Sequence, residues 1–170
     1  MEILSSQAYW VFFFRWLHIL SGIMWIGHLW YFNFTQAPTV PKIPMELRPA
    51  ITKFILPEAL FWFRWSAFAT WVTGLIVGGL SGWLVPAIML GVGSGSQHVT
   101  AIGIGMWLGT IMLFNVWIII WPNQRKVIGL VQADDAGKKA AARRASLASR
   151  VNTLLSIPML YCMAANHFYT

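Results

Sequence analysis

Four apolar runs divide the chain, at about residues 9–35, 56–80, 98–121 and 147–167. Each is long enough to cross the roughly 30 Å hydrocarbon core of a bilayer, which takes about 20 helical residues. The pattern predicts four transmembrane helices within one transmembrane domain, residues 1–170. The first run is too long and too tryptophan-rich for the apolar core of a cleavable leader, and no small-residue cleavage site follows it, so it is expected to be a retained span. Polar positions collect between the runs. The first connection is proline-rich and carries Lys42, Glu46, Arg48 and Lys53. The second has no charge, and its apolar middle around Pro86 predicts a segment lying in the interface or dipping into it. The third holds Arg125, Lys126, Lys138, Lys139, Arg143 and Arg144, softened by Asp134 and Asp135.

Composition strengthens this reading. Of 170 residues, 58% are hydrophobic and 10% charged, whereas soluble domains run near about 45–50% apolar and about 25% charged. That balance excludes an ordinary soluble globule and also excludes disorder, which needs few aromatics and many charges. The net charge of +7 would suggest nucleic acid in a soluble protein, but here its location matters more. Lys and Arg sit in connections one and three, so the positive-inside bias places those two in the cytoplasm and both termini on the periplasmic side. The expectation is an all-α integral membrane four-helix bundle, multi-pass in a bacterial inner membrane, with lipid and not nucleic acid as its partner. The single cysteine, Cys162, excludes an intramolecular disulfide and a C-x-x-C-H haem attachment.

Packing signals accompany the spans. Gly74 with Gly78, and Gly105 with Gly109, are small-x-x-x-small pairs that allow close backbone approach in lipid. Pro158 falls inside the fourth run and invites a kink. Trp10, Trp30, Trp62, Trp83, Trp117 and Trp121 lie near predicted boundaries, as interfacial anchors do.

Polar residues inside a bilayer are expensive, so they mark where function is to be sought. His18 lies about a third of the way into the first span, His98 opens the third and His167 closes the fourth. The topology gathers these three imidazoles into the outer half of the bundle. His28, ten residues past His18, lies about 15 Å further in and has no histidine partner there. Two imidazoles from facing helices are what a low-spin haem b needs above and below its iron. Arg15, one turn before His18, is placed to pair with a propionate. The candidate metal or cofactor ligands are therefore His98, His18 and His167, with Arg15 as a cofactor contact. Copper is an alternative, held by histidine with Met24, Met106, Met159 or Met163, and a chlorin is another. Apart from Glu58 at the mouth of the second run, no carboxylate lies within a span, and the chain carries no nucleophile triad, P-loop or dinucleotide fingerprint.

Four blocks of the chain resemble one family. FRWLHILSGIMWIG resembles the first helix of the bacterial membrane-bound urate oxidase N-terminal domain, the membrane part of a cytochrome c-linked urate-oxidising enzyme. FRWSAFATWVTG is similar to its second block, with Ser66 where an acidic residue is expected. HVTAIGIGMWLGTIMLFNVWIIIWPNQRKVIG is similar to its later His-led helix, and SRVNTLLSIPMLYCMAANHF to its last one. The first block also resembles small membrane protoporphyrinogen oxidases and copper-resistance membrane proteins. The resemblance places family histidines at His18, His98 and His167 but not at His28. It implies further membrane sequence between the second block and the His-led helix, and a cytochrome c domain; neither is expected within these residues.

The functional expectation is a membrane haem b electron carrier, with His98 ligating opposite His18 or His167, working with other membrane subunits or a c-type cytochrome. Two rivals accompany it. One is a non-catalytic accessory subunit of a larger respiratory or photosynthetic complex, and the other is an oxidase acting on a small purine.

Overall fold

The computed structural model describes residues 6–165, and the regular elements among them are all helical. Helix α1 spans Gln7–Lys42, α2 Arg48–Leu80 and α4 Gln97–Val127; the short α3, Leu84–Ile88, and the long α5, Asp135–Ala164, complete the order. By length and composition α1, α2 and α4 can cross a membrane. At 30 residues α5 is of similar length, but its first half carries Lys138, Lys139, Arg143, Arg144 and Arg150. Helices run through the first three expected ranges and through the fourth as far as Ala164, and His167 lies outside the described residues.

Side-chain oxygens start the helices where the sequence supplies them. Ser6 accepts from the Tyr9 amide, Ser96 from Val99 and Asp134 from Gly137, satisfying amides that have no partner inside their own helix. The uncharged second connection turns through Gly82 at φ +77° and then forms α3. Helix α3 packs on α4 so closely that a Cβ on Gly103 would collide with the Ala87 carbonyl oxygen. Trp107 donates its indole N–H to the Ile88 carbonyl at 3.0 Å and fixes the other end of α3.

Three helices contain a widened π turn: Tyr31–Gln36 in α1, Ile51–Ile55 in α2 and Asn115–Ile120 in α4. Each ends two residues before a proline, namely Pro38, Pro57 and Pro122. The ring of a helical proline collides with the carbonyl four residues earlier, and that carbonyl lies within the widened turn in all three cases. An extra residue in the turn moves it aside and lets the helix continue. Pro158 is carried inside α5 without such a turn.

The core joins α1, α2, α4 and α5 around Trp25, Leu29, Phe63, Met112 and Val116. Polar ties cross it. Asn152 is fully buried; its amide donates to the Met112 carbonyl at 3.0 Å and its oxygen accepts from Asn115 at 2.7 Å. Asn115 also reaches the Ala148 carbonyl at 2.9 Å. Trp30 donates to the Ser156 hydroxyl, Asn33 to Ser149 and Trp71 to Thr110. Apolarity alone does not drive helices together in lipid, so close packing and such bonds set the arrangement. Trp30, expected as an interfacial anchor, is therefore a tie between α1 and α5. At the opposite end Gln7 donates to the Leu80 carbonyl and joins the start of α1 to the end of α2.

Asn152→Ala should lower unfolding stability in detergent by about 1–3 kcal/mol, because it leaves buried polar groups unpaired. Asn123→Ala, which removes only a bond to its own helix, should change it by less than about 0.5 kcal/mol. Equal losses would show that the α4–α5 tie is not what holds this pair.

Candidate functional site: a cavity between four helices

A cavity of about 350 Å³ opens between α1, α2, α4 and α5, within the ~300–1,000 Å³ range of small-molecule sites. Its walls are mostly apolar and include Trp25, Trp71, Trp83 and three methionines, Met106, Met159 and Met163. His18 and Arg15 are its ionisable wall residues.

The geometry fixes His18 closely. Its Nδ1 lies 2.8 Å from the Thr70 carbonyl oxygen. A carbonyl only accepts, so Nδ1 carries the proton, and in the neutral ring Nε2 keeps its lone pair. A backbone partner on one ring nitrogen is the arrangement that orients the other as a ligand. The ring lies over Gly74, where a Cβ would be 2.9 Å from His18 Cε1 and 3.1 Å from Nδ1. Glycine is thus required at position 74 to seat the imidazole against α2. Gly74, expected as part of a helix-packing pair, is the floor under His18. Its partner Gly78 packs under Trp83 and Leu84, whereas Gly109 has open space where a Cβ would stand.

Arg15 is exposed at the rim and makes no hydrogen bond or ion pair within the described residues. Trp25 is 2% exposed, and its indole N–H has no acceptor among the described residues. The cavity therefore presents a lone-pair nitrogen, a cation at its mouth and an unpaired N–H donor in its wall.

Of the three histidines expected to converge, His18 lines the cavity. Helix α4 starts at Gln97, so His98 sits in its first turn, one turn before the wall residue Ile102, and is not a wall residue itself. His167 falls outside the described residues. Among those described, no three of His, Cys, Asp and Glu gather into a metal-binding group. His28 bonds through Nδ1 to the Met24 carbonyl at 2.7 Å and lines a separate shallow groove with Met24 and Tyr31. Met24 is thereby removed from any set containing His18, while the other three methionines considered for copper stand in one cavity with it.

Sequence reasoning passed over Arg64. Its guanidinium carbon lies 3.3 Å from the Trp121 ring centroid and 5.9 Å from that of Trp117, a cation–π stack joining α2 to α4. Nε and Nη1 have no hydrogen-bond partner among the described residues. An arginine well inside an apolar run was the available signal. Thr70 was also missed, since its part is played by a backbone carbonyl, which every residue carries.

The urate oxidase N-terminal family model matches residues 83–170, just over half of the chain. The chain belongs to that family. The matched stretch contains α3, α4 and α5, hence Met106, Met159 and Met163 of the cavity wall, together with His98 and His167. His18 and Arg15 lie before it, so membership itself says nothing about them. No curated protein and no solved structure matches the chain.

Gly74→Ala should displace the His18 ring and break its bond to Thr70, read as a change in the imidazole ¹⁵N shifts that report the Nδ1–H tautomer. Gly22→Ala, whose added Cβ would meet Thr70 Cγ2 at an ordinary 3.7 Å, should leave them unchanged. Unaltered shifts in the first variant would remove the glycine seat from the account.

Proposed function

We propose that this member of the urate oxidase N-terminal family is a haem b-binding electron-transfer subunit. It crosses the bacterial inner membrane four times with both termini on the periplasmic side. The observation that supports the reading is His18, whose Nε2 is left free by the Thr70 bond at the wall of an apolar intramembrane cavity. The donor set fits such a group in two further respects. Arg15 at the rim would hold a propionate, and the tryptophan and methionine walls would enclose the macrocycle and keep water from it. Bound haem b would supply one-electron iron chemistry. The chain's own part is to fix the imidazole, anchor the carboxylate and lower the local dielectric. Electrons would pass to a periplasmic acceptor such as a c-type cytochrome, with other membrane subunits as partners. The four-span topology is supported by the Lys/Arg bias of the first and third connections and by the length of α5.

A second reading rests on the Arg15 guanidinium and the unpaired Trp25 N–H. Together they would suit a small planar anion, a purine such as urate, at the same cavity. Steady turnover of urate with cytochrome c by the purified protein would favour it.

Purified protein should show a Soret band and about one iron per chain. His18→Ala should lose most of the haem, and Arg15→Gln should weaken haem retention about tenfold, the equivalent of one charge-assisted contact of about 1.4 kcal/mol. A preparation without iron or Soret absorption, even after haem b is added, overturns the proposal and leaves the accessory-subunit reading.

A further inference from the structure

We infer that Arg64 and Arg125 hold the phosphate of an anionic glycerophospholipid in the groove between α2 and α4. The inference is independent of the haem reading and concerns the outer surface of the bundle. It starts from a cation without a counter-charge. Arg64 Nε and Nη1 are sealed from solvent and have no hydrogen-bond partner among the described residues. The third nitrogen, Nη2, is not sealed in this way, which leaves the guanidinium one open edge. The nearest acid in the sequence, Glu58, stands six positions earlier, on a different face of α2. A charge in an apolar setting without a partner is costly, and an anion arriving at the open edge removes that cost.

Depth points to a headgroup. The stretch of α2 from Arg64 to its end at Leu80, beside Gln7, spans about 24 Å at the helical rise per residue. Set against roughly 30 Å of hydrocarbon, this puts the guanidinium close to the far boundary. Trp121, on which it stacks at 3.3 Å, is followed after Pro122 by Asn123, Gln124, Arg125 and Lys126, the polar end of α4. Arg125 is exposed and stands one turn beyond Trp121 on the same face. Two cations therefore border one stretch of the groove.

The rest of the groove suits acyl chains. Phe61, Trp65 and Phe68 share the Arg64 face of α2 by their spacing of three and four, and they are 44%, 46% and 42% exposed. The rings of Trp65 and Phe68 lean on Trp117 at 5.5 and 6.4 Å, forming an aromatic wall that leads away from the cations. A fitting ligand has an anionic head at the basic end and apolar tails along that wall, as anionic lipids do in basic pockets between membrane helices. The Trp121 stack already restrains the guanidinium, so a charge-assisted bond to phosphate costs little side-chain freedom. A carboxylate of a partner subunit would answer the charge but has no use for the aromatic wall.

The test uses the full chain, purified and delipidated in detergent, with lipid binding read by native mass spectrometry. The wild type should retain phosphatidylglycerol in preference to phosphatidylcholine. Arg64→Gln and Arg125→Gln should each lower phosphatidylglycerol affinity about fivefold, as loss of one cation at a membrane surface does. Lys42→Gln, which removes an exposed cation at the end of α1, should leave it unchanged. Arg64→Lys should recover part of the affinity, which separates loss of charge from loss of folding. Inorganic phosphate at the same concentration should not displace the lipid. Equal retention of the two lipids by the wild type overturns the inference and leaves a partner's carboxylate as the counter-charge. Full affinity in Arg64→Gln, or displacement by inorganic phosphate, overturns it as well.

Discussion

The hydrogen bond between His18 Nδ1 and the Thr70 carbonyl is the contact on which the candidate site depends. In a helix surrounded by lipid, a histidine has few ways to satisfy both ring nitrogens, and an unsatisfied polar atom there costs several kcal/mol. The bond to α2 spends one nitrogen and leaves the other without a partner among the described residues. It is possible only because Gly74 offers no side chain, so that the ring can approach the backbone of α2 within van der Waals limits. One absent methyl group therefore lets the ring sit against α2.

The same logic of close approach recurs through the bundle. Gly103 admits the Ala87 carbonyl and so draws the short helix α3 down on α4, while Gly105 admits Met163. Around these contacts run the polar ties of Asn115 with Asn152, Trp30 with Ser156, and Trp71 with Thr110. None is individually strong in a membrane, where such bonds average about 0.6 kcal/mol. Distributed over four helices they select one arrangement from the many that apolar surfaces alone would permit. What remains between the two helix pairs is a space with tryptophan and thioether walls, a cation at its mouth and an imidazole aimed inward.

Membership of the urate oxidase N-terminal family and the cavity carry different weight for function. The family match covers the second half of the chain and so includes the methionine side of the cavity. The histidine and arginine side comes from α1, beyond the match. A site assembled across that boundary takes its chemistry from both halves, and the haem reading rests on the arrangement of the residues and not on the family name. The stack of Arg64 on Trp121 shows the same dependence on partners, since an aromatic face of α4 is what accommodates a charge carried by α2.

Much of the fold was legible in the sequence. Long apolar runs form helices in any low-dielectric setting because their backbone groups must pair internally, so residue type alone determined the helical ranges and the cost that marks His18 and Arg15 as unusual. The widened turns before Pro38, Pro57 and Pro122 follow from proline chemistry too, although α5 carries Pro158 without one. Tertiary structure alone decided which residues meet. Stepping along ideal helices placed three histidines at one depth, yet depth does not specify the side a ring faces, and His98 begins α4 one turn short of the cavity wall. Whether a glycine serves as a seat for His18, a notch for Met163 or an empty position such as Gly109 depends on what the neighbouring helix brings to it. Those contacts are properties of pairs of helices, and a single strand of sequence holds only one member of each pair at a time.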